Sequence, residues 1–295
     1  FGIPESVREA MHRAVDECTH YPDPFCRAVR QAISAAEGVP ADMIYCGNGA
    51  ADVLDRLAAV LKPQCVLLTA PTFAEYERTL SGAEIHFHTL RESDGFAVTE
   101  RILSDISPKL DAVYLCNPNN PTGRTIEPAL LEKIAEKCAE CGVSLVLDEC
   151  FNDFLTDAER HTMKSKPASY PNLIILRAYT KMFAVPGVRF GWCMTANAAL
   201  LDALYRAGQP WNVSVVAQAC AVAAAGDAVF GGVGVTVMRA AHNEVKRNIH
   251  RERIRRPGDR RFHPQVFKID GTVLIIPIAA VGTHLLCKRR PALHK

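Results

Sequence analysis

Two hydrophobic rhythms alternate along the first two hundred residues. Short β-prone runs recur at 43–46, 66–68, 84–88, 112–115, 143–147, 173–176 and 191–194, while 5–18, 27–36, 52–61 and 129–141 carry apolar residues at helical spacing. In 52–61, for example, Val53, Leu54, Leu57, Ala58 and Leu61 fall on one side of a helix. Strands alternating with helices predict an α/β fold, a mostly parallel seven-stranded sheet covered on both faces. Ligands of such sheets bind at the carboxyl ends of the strands.

The turn strings of the chain fall at those ends. Cys46-Gly47-Asn48-Gly49-Ala50-Ala51-Asp52 closes a strand and opens a helix, so the backbone N–H groups of Gly49, Ala50 and Ala51 form a candidate anion site. The string lacks both the G-x-G-x-x-G and the Walker lysine patterns, and a glycine needed only for the turn would read the same way. Ala70-Pro71-Thr72-Phe73-Ala74-Glu75-Tyr76 sets an aromatic, Phe73, just past a strand, either to stack on a planar ring or to fill core. Cys116-Asn117-Pro118-Asn119-Asn120-Pro121-Thr122-Gly123 fixes a loop with two prolines and a glycine, which lets the Asn120 amide be held toward a ligand oxygen.

Val146-Leu147-Asp148-Glu149-Cys150-Phe151 ends an apolar strand on a carboxylate, and a buried Asp148 requires a cationic or donor partner. The 177–191 segment places Lys181 between the 173–176 run and a glycine-bearing loop. A lysine at the end of a buried strand is costly without a task. Desolvation there, with Arg189 eight residues on, is expected to activate the amine as a nucleophile toward an aldehyde.

Composition narrows the setting. The 295 residues are 48% hydrophobic, enough to bury a full core and a smaller second domain. Eleven cysteines, an odd number at irregular spacing, point to reduced thiols and a cytoplasmic protein. Cys138 and Cys141 form a C-x-x-C without a second pair, so no metal site is expected. The longest apolar stretch, 272–287, contains Pro277 and His284 and is too short for a bilayer span; it reads as strand material.

Taken in order, these strings resemble the pyridoxal-phosphate enzymes of the aspartate aminotransferase fold, in particular the histidinol-phosphate aminotransferase and threonine-phosphate decarboxylase branch. The resemblance covers about residues 1–225. It implies pyridoxal 5'-phosphate as cofactor, with Lys181 joined to its aldehyde as a Schiff base and then acting as general acid and base. It also implies Asp148 at the pyridine nitrogen, Asn120 at the ring hydroxyl oxygen and Phe73 stacked on the ring. The phosphate falls to Gly49, Ala50, Ala51, Thr180 and Arg189, and Tyr21 matches the tyrosine that reaches the phosphate in the neighbouring subunit, which requires a homodimer.

Phe73 replaces a tyrosine common in the histidinol-phosphate enzymes, and Phe151 stands where those enzymes have a tyrosine touching the ring hydroxyl. The run from Arg206 to Ser214 looks like the cobalamin-pathway threonine-phosphate decarboxylases. The expected activity is therefore decarboxylation of L-threonine O-3-phosphate. Aminotransfer of the histidinol-phosphate type and a cofactor-binding remnant without turnover are the alternatives.

The chain departs from the family at both ends. Residues 239–295 hold 14 Lys and Arg against 4 Asp and Glu, net +10, whereas residues 1–238 hold 20 against 28, net −8. The expected organisation is a truncated N-terminal segment at 1–20, a cofactor-binding large domain at 21–228, and an aberrant basic segment at 229–295 in place of the small domain. A shift of reading frame is the expected cause, checked by a search for the family's Leu-Arg-Ile string in the other frames. The basic tail has neither interleaved aromatics nor a helix-turn-helix pattern, so nucleic acid is not an expected partner.

Overall fold

A computed structural model of the protein describes residues 2–227, 266–269 and 272–275. The chain divides into two compact units, residues 1–243 and 244–295. The first is built on a seven-stranded sheet: β1 (Ile44–Gly47), β2 (Cys65–Ala70), β3 (Glu84–Thr89), β4 (Ala112–Cys116), β5 (Ser144–Asp148), β6 (Leu173–Arg177) and β7 (Gly191–Met194). Their spatial order is β1-β7-β6-β5-β4-β2-β3. The pairs from β3 through to β6 are parallel, and β7 runs antiparallel to both β6 and β1. The mostly parallel seven-stranded sheet expected from the sequence is thus observed.

Period-two alternation along the central strands feeds two separate cores. Leu67, Val113, Leu115, Leu145, Leu147 and Ile175 point to one face, under helices α1 (Glu5–Ala14), α2 (Arg27–Glu37), α5 (Pro128–Cys141) and α8 (Val215–Gly226). Val66, Leu68, Tyr114, Val146, Ile174 and Leu176 point to the other, under α3 (Ala50–Leu61), α4 (Glu75–Thr79) and α7 (Ala198–Ala207). A further short helix, α6 (Ala158–His161), follows β5. The expected helix over 5–18 is divided: α1 stops at Ala14 and Asp16–Thr19 forms a 3₁₀ turn. The expected helix at 52–61 starts earlier, at Ala50, directly after the glycine turn.

Register brings the strand ends to one level. Cys116 lies opposite Asp148, and Asp148 opposite Leu176, so the loops leaving β4, β5 and β6 are neighbours. The antiparallel β7 lets β1 join this end as well, with Gly47 opposite Gly191. In the second unit the described residues are an antiparallel pair, β8 (Val266–Ile269) and β9 (Thr272–Ile275). The basic strings at 251–257 and 288–290, and most of the 229–295 segment, lie outside the described residues. No helix among the described residues is long and apolar enough to cross a membrane.

Candidate active site

A cavity of about 240 Å³ opens where these strand ends meet, lined by Ala50, Ala51, Leu54, Phe73, Cys116, Asn120, Asp148, Cys150, Phe151, Thr180, Lys181 and Arg189. Nine residues singled out in the sequence therefore share one wall system, although they span five loops. Gly49 stands beside it. Tyr21 does not join them: it is 80% exposed and packs on Trp211, ring centroids 4.8 Å apart.

One end of the cavity is an anion cradle. The first turn of α3 presents the backbone N–H groups of Ala50 and Ala51, with buried Thr180 and the Arg189 guanidinium nearby. Two glycines permit this. A Cβ on Gly49, whose φ is +91°, would lie 2.5 Å from an Arg189 nitrogen, and one on Gly191 would meet the Ala50 nitrogen at a still shorter distance. Asp52 fastens the turn from below: its carboxylate accepts from the Asn48 N–H at 2.9 Å and the Asn212 amide at 2.7 Å, and pairs with Arg56 at 3.1 Å.

At the other end stands Asp148, only 6% exposed. Its Oδ1 accepts the Cys150 N–H at 2.9 Å and its Oδ2 accepts the Tyr76 hydroxyl at 2.7 Å. Burial, then the Asp148 charge, push the Tyr76 phenol well above its ordinary range, so it remains a donor. The same two causes, in the same order, hold the Cys116 thiol up at about 12 and push the Cys150 thiol well above its ordinary range. Since the thiolate is the nucleophile, neither lining cysteine is reactive at neutral pH. A thiol reagent at pH 7.5 is expected to label exposed Cys18 well before Cys116 or Cys150, read by peptide mass spectrometry; early label on either lining cysteine contradicts this environment.

The loop after β4 separates structural from available asparagines. Asn117 donates to the His161 carbonyl and accepts from the Ile126 N–H, while Asn119 bonds Pro71, Thr72 and Thr122. Asn120 lines the cavity with a side chain that has no hydrogen-bond partner among the described residues. Phe73 and Phe151 add aromatic walls, and the Lys181 Nζ lies 5.5 Å from the Phe151 ring centroid.

One expectation is corrected. Lys181 is not at the end of a buried strand: β6 stops at Arg177, three loop residues intervene, and Lys181 is exposed. The desolvation argument for its activation therefore does not hold for the chain by itself. The β6 terminus instead belongs to Arg177, buried and paired with Glu149 at 3.2 Å, Asp153 at 2.6 Å and Glu37 at 3.3 Å. Burial alone would lower the guanidinium's proton affinity, but the carboxylates of Asp153, Glu37 and Glu149 outweigh it and raise it. Burial raises the fully buried Glu149, with Arg177 opposing.

Sequence reading missed this cluster, Asp52 and Tyr76; the arginine closing an apolar strand was the available signal for the first. Arg177→Met leaves a buried carboxylate without its cation and is expected to cost ~3–5 kcal/mol of stability. Urea unfolding checks it, and a loss under about 1 kcal/mol would contradict the pairing. A second cavity of about 270 Å³ shares the 179–183 loop as a wall. Its two carboxylates, Glu37 and Asp153, are both engaged by Arg177, so the reactive groups belong to the smaller cavity.

An anion cradle, a buried carboxylate, an aromatic wall and a primary amine in one cavity suit a flat anionic heteroaromatic aldehyde. Comparison with known proteins agrees. The profile of the family "Aminotransferase class I and II" matches residues 1–253. A threonine-phosphate decarboxylase of Salmonella typhimurium is 38% identical over 220 residues, covering 73% of this chain and 59% of that protein. Histidinol-phosphate aminotransferase 1 of Cupriavidus pinatubonensis is 34% identical over 231 residues, covering 78% of this chain and 61% of that protein. The chain thus spans about three fifths of the length of these relatives. A histidinol-phosphate aminotransferase from Sinorhizobium meliloti, solved in complex with pyridoxal-5'-phosphate, superposes with a TM-score of 0.77 at 20% identity. It covers 84% of this chain and 67% of that one, a likeness of fold.

Proposed function

The chain belongs to the aminotransferase class I and II family, and on that footing we propose that its cavity holds pyridoxal 5'-phosphate and serves an enzyme acting on a phosphorylated amino acid. The observation that carries this is Asp148, a buried carboxylate gripped by two donors and facing the same cavity as Lys181. The residues present fit the cofactor: the Ala50 and Ala51 N–H groups, Thr180 and Arg189 for its phosphate, Asn120 for the ring hydroxyl oxygen, Phe73 for the ring face. Asp148 is the anion for a protonated pyridine nitrogen, and Lys181 the amine for the aldehyde carbon.

When bound, pyridoxal phosphate supplies an electron sink for the pair left at a substrate α-carbon. Asp148 sustains that sink by keeping the ring nitrogen protonated. Lys181 carries protons, taking one from the α-carbon in aminotransfer or returning one to it after carbon dioxide leaves in decarboxylation.

Of the two, decarboxylation of L-threonine O-3-phosphate is the favoured activity, which would place the protein in cobalamin biosynthesis. Support comes from the higher identity to a named threonine-phosphate decarboxylase, from Phe73 in place of a tyrosine at the ring face, and from Phe151, which brings no phenol to the ring hydroxyl. The test is carbon dioxide release from threonine phosphate by the cofactor-loaded protein. Release that Lys181→Ala loses supports the decarboxylase; keto product from histidinol phosphate with 2-oxoglutarate means aminotransfer; neither product, with cofactor bound, means a binding remnant.

A homodimer in the cytoplasm completes the proposal. Tyr21 and Trp211 form an exposed aromatic pair, 80% and 47% exposed, outside their own cavity, which suits a tyrosine supplied to a second copy. Sedimentation equilibrium is expected to give the dimer mass, and Tyr21→Phe to weaken cofactor affinity. A monomer with full affinity would refute the shared site.

A further inference from the structure

Tyr76 sits where three features of the cavity converge. It is 1% exposed, on α4, the short helix that follows the Phe73 loop. Its ring meets Phe73 edge-on, centroids 5.6 Å apart at 85°, and its hydroxyl donates to Asp148 Oδ2 at 2.7 Å. The other carboxylate oxygen is held by the Cys150 N–H, from Asp148's own loop. Tyr76 is thus the only oxygen or nitrogen side-chain donor to Asp148 among the described residues, and it arrives from an element 72 residues away in sequence.

A carboxylate with one donor can turn about its Cβ–Cγ bond; held at both oxygens it has one plane. The second donor therefore determines where the remaining lone pairs point. An aromatic held edge-on by a neighbour likewise has one face to offer. We propose that Tyr76 is a positioning residue that sets, through one side chain, both the plane of the Asp148 carboxylate and the face of Phe73 toward the cavity. This inference rests on the pyridoxal-phosphate reading and adds to it how the pyridine-nitrogen partner is aimed. Of the other polar groups near Asp148, the Cys116 thiol and the Lys181 amine make no hydrogen bond to it, and the Cys150 thiol is a weak sulfur donor from Asp148's own loop, so none replaces the phenol.

The test is a double-mutant cycle on cofactor affinity, titrated by the near-visible absorption of bound pyridoxal phosphate. Tyr76→Phe keeps the ring and removes the hydroxyl, and is expected to raise the dissociation constant about 10- to 100-fold, the range for a hydrogen bond to a charged group. In an Asp148→Ala background the same change is expected to have less than about a twofold effect, because the acceptor of its hydroxyl is gone. Equal loss in both backgrounds would mean that Tyr76 acts by packing alone, and overturns the inference.

Near-visible circular dichroism at saturating cofactor gives an independent reading: lower ellipticity per bound cofactor in Tyr76→Phe is expected, and an unchanged band contradicts it. Tyr76→His, which keeps a ring N–H, is expected to recover part of the affinity, and it takes over the cycle should the Phe variant not fold. Failure of the unmutated protein to bind cofactor overturns the underlying reading; normal binding with an indifferent Tyr76 overturns this inference alone.

Discussion

Lys181→Ala is expected to remove turnover of the cofactor-loaded protein almost completely, by ~10³-fold or more, since it removes both the amine that retains the cofactor and the acid and base at the α-carbon. Folding is expected to be unaffected. Lys181 is exposed, so its truncation leaves no cavity and no buried polar group without a partner. The measurement is the product rate at saturating cofactor, alongside thermal unfolding of the apo chain. Retention of more than about a tenth of the rate would assign the chemistry elsewhere.

Asp148→Ala is expected to have the next largest effect, through a different cause. The carboxylate is the only acidic side chain lining the cavity among the described residues, and its removal leaves a ring nitrogen with no anion to keep it protonated. Loss of one partner from a buried charged pair costs ~3–5 kcal/mol. Charged to the transition state, that is a rate loss on the order of 10²–10⁴. The variant also leaves the Tyr76 hydroxyl and the Cys150 N–H without their acceptor. Single-turnover kinetics with threonine phosphate separates the consequences: the rate of the chemical step is expected to fall even when cofactor occupancy is restored by excess pyridoxal phosphate. A rate that recovers fully with occupancy would reduce Asp148 to a binding residue.

The two variants differ because the sites differ in depth. Lys181 is an exposed side chain on a loop whose neighbouring residues Thr180 and Met182 are buried, whereas Asp148 is itself buried at the end of a central strand, one residue before the fully buried Glu149. Through Glu149 and Arg177 the same strand end is tied to Glu37 on α2 and Asp153 beyond β5. The carboxylate aimed at the cavity thus rests on a buried ion-paired support, whereas the Lys181 side chain itself is open to solvent.

What could be read from the sequence were features that neighbours along the chain determine. Seven β-prone runs became seven strands, and the turns at 46–52, 116–123 and 177–191 converged because a parallel sheet sends its carboxyl ends to one side. What could not be read are pairs separated along the chain. Tyr76 finds Asp148 across 72 positions and Arg177 finds Glu37 across 140, and no local periodicity encodes either. The depth of Lys181 was misjudged for a related reason: a strand pattern marks where a strand is buried but not how many loop residues follow it before the next constraint. In the 116–123 string, loop chemistry was legible, yet the division of labour among its three asparagines depended on Pro71, Thr72 and His161 from other segments.

The most direct test of the central claim is to reduce the cofactor-loaded protein with borohydride, digest it, and locate the phosphopyridoxyl group by peptide mass spectrometry. A single label on the peptide containing Lys181 is the predicted result. Absence of label, or a label on another lysine with Lys181 unmodified, would contradict the cavity as a pyridoxal-phosphate site.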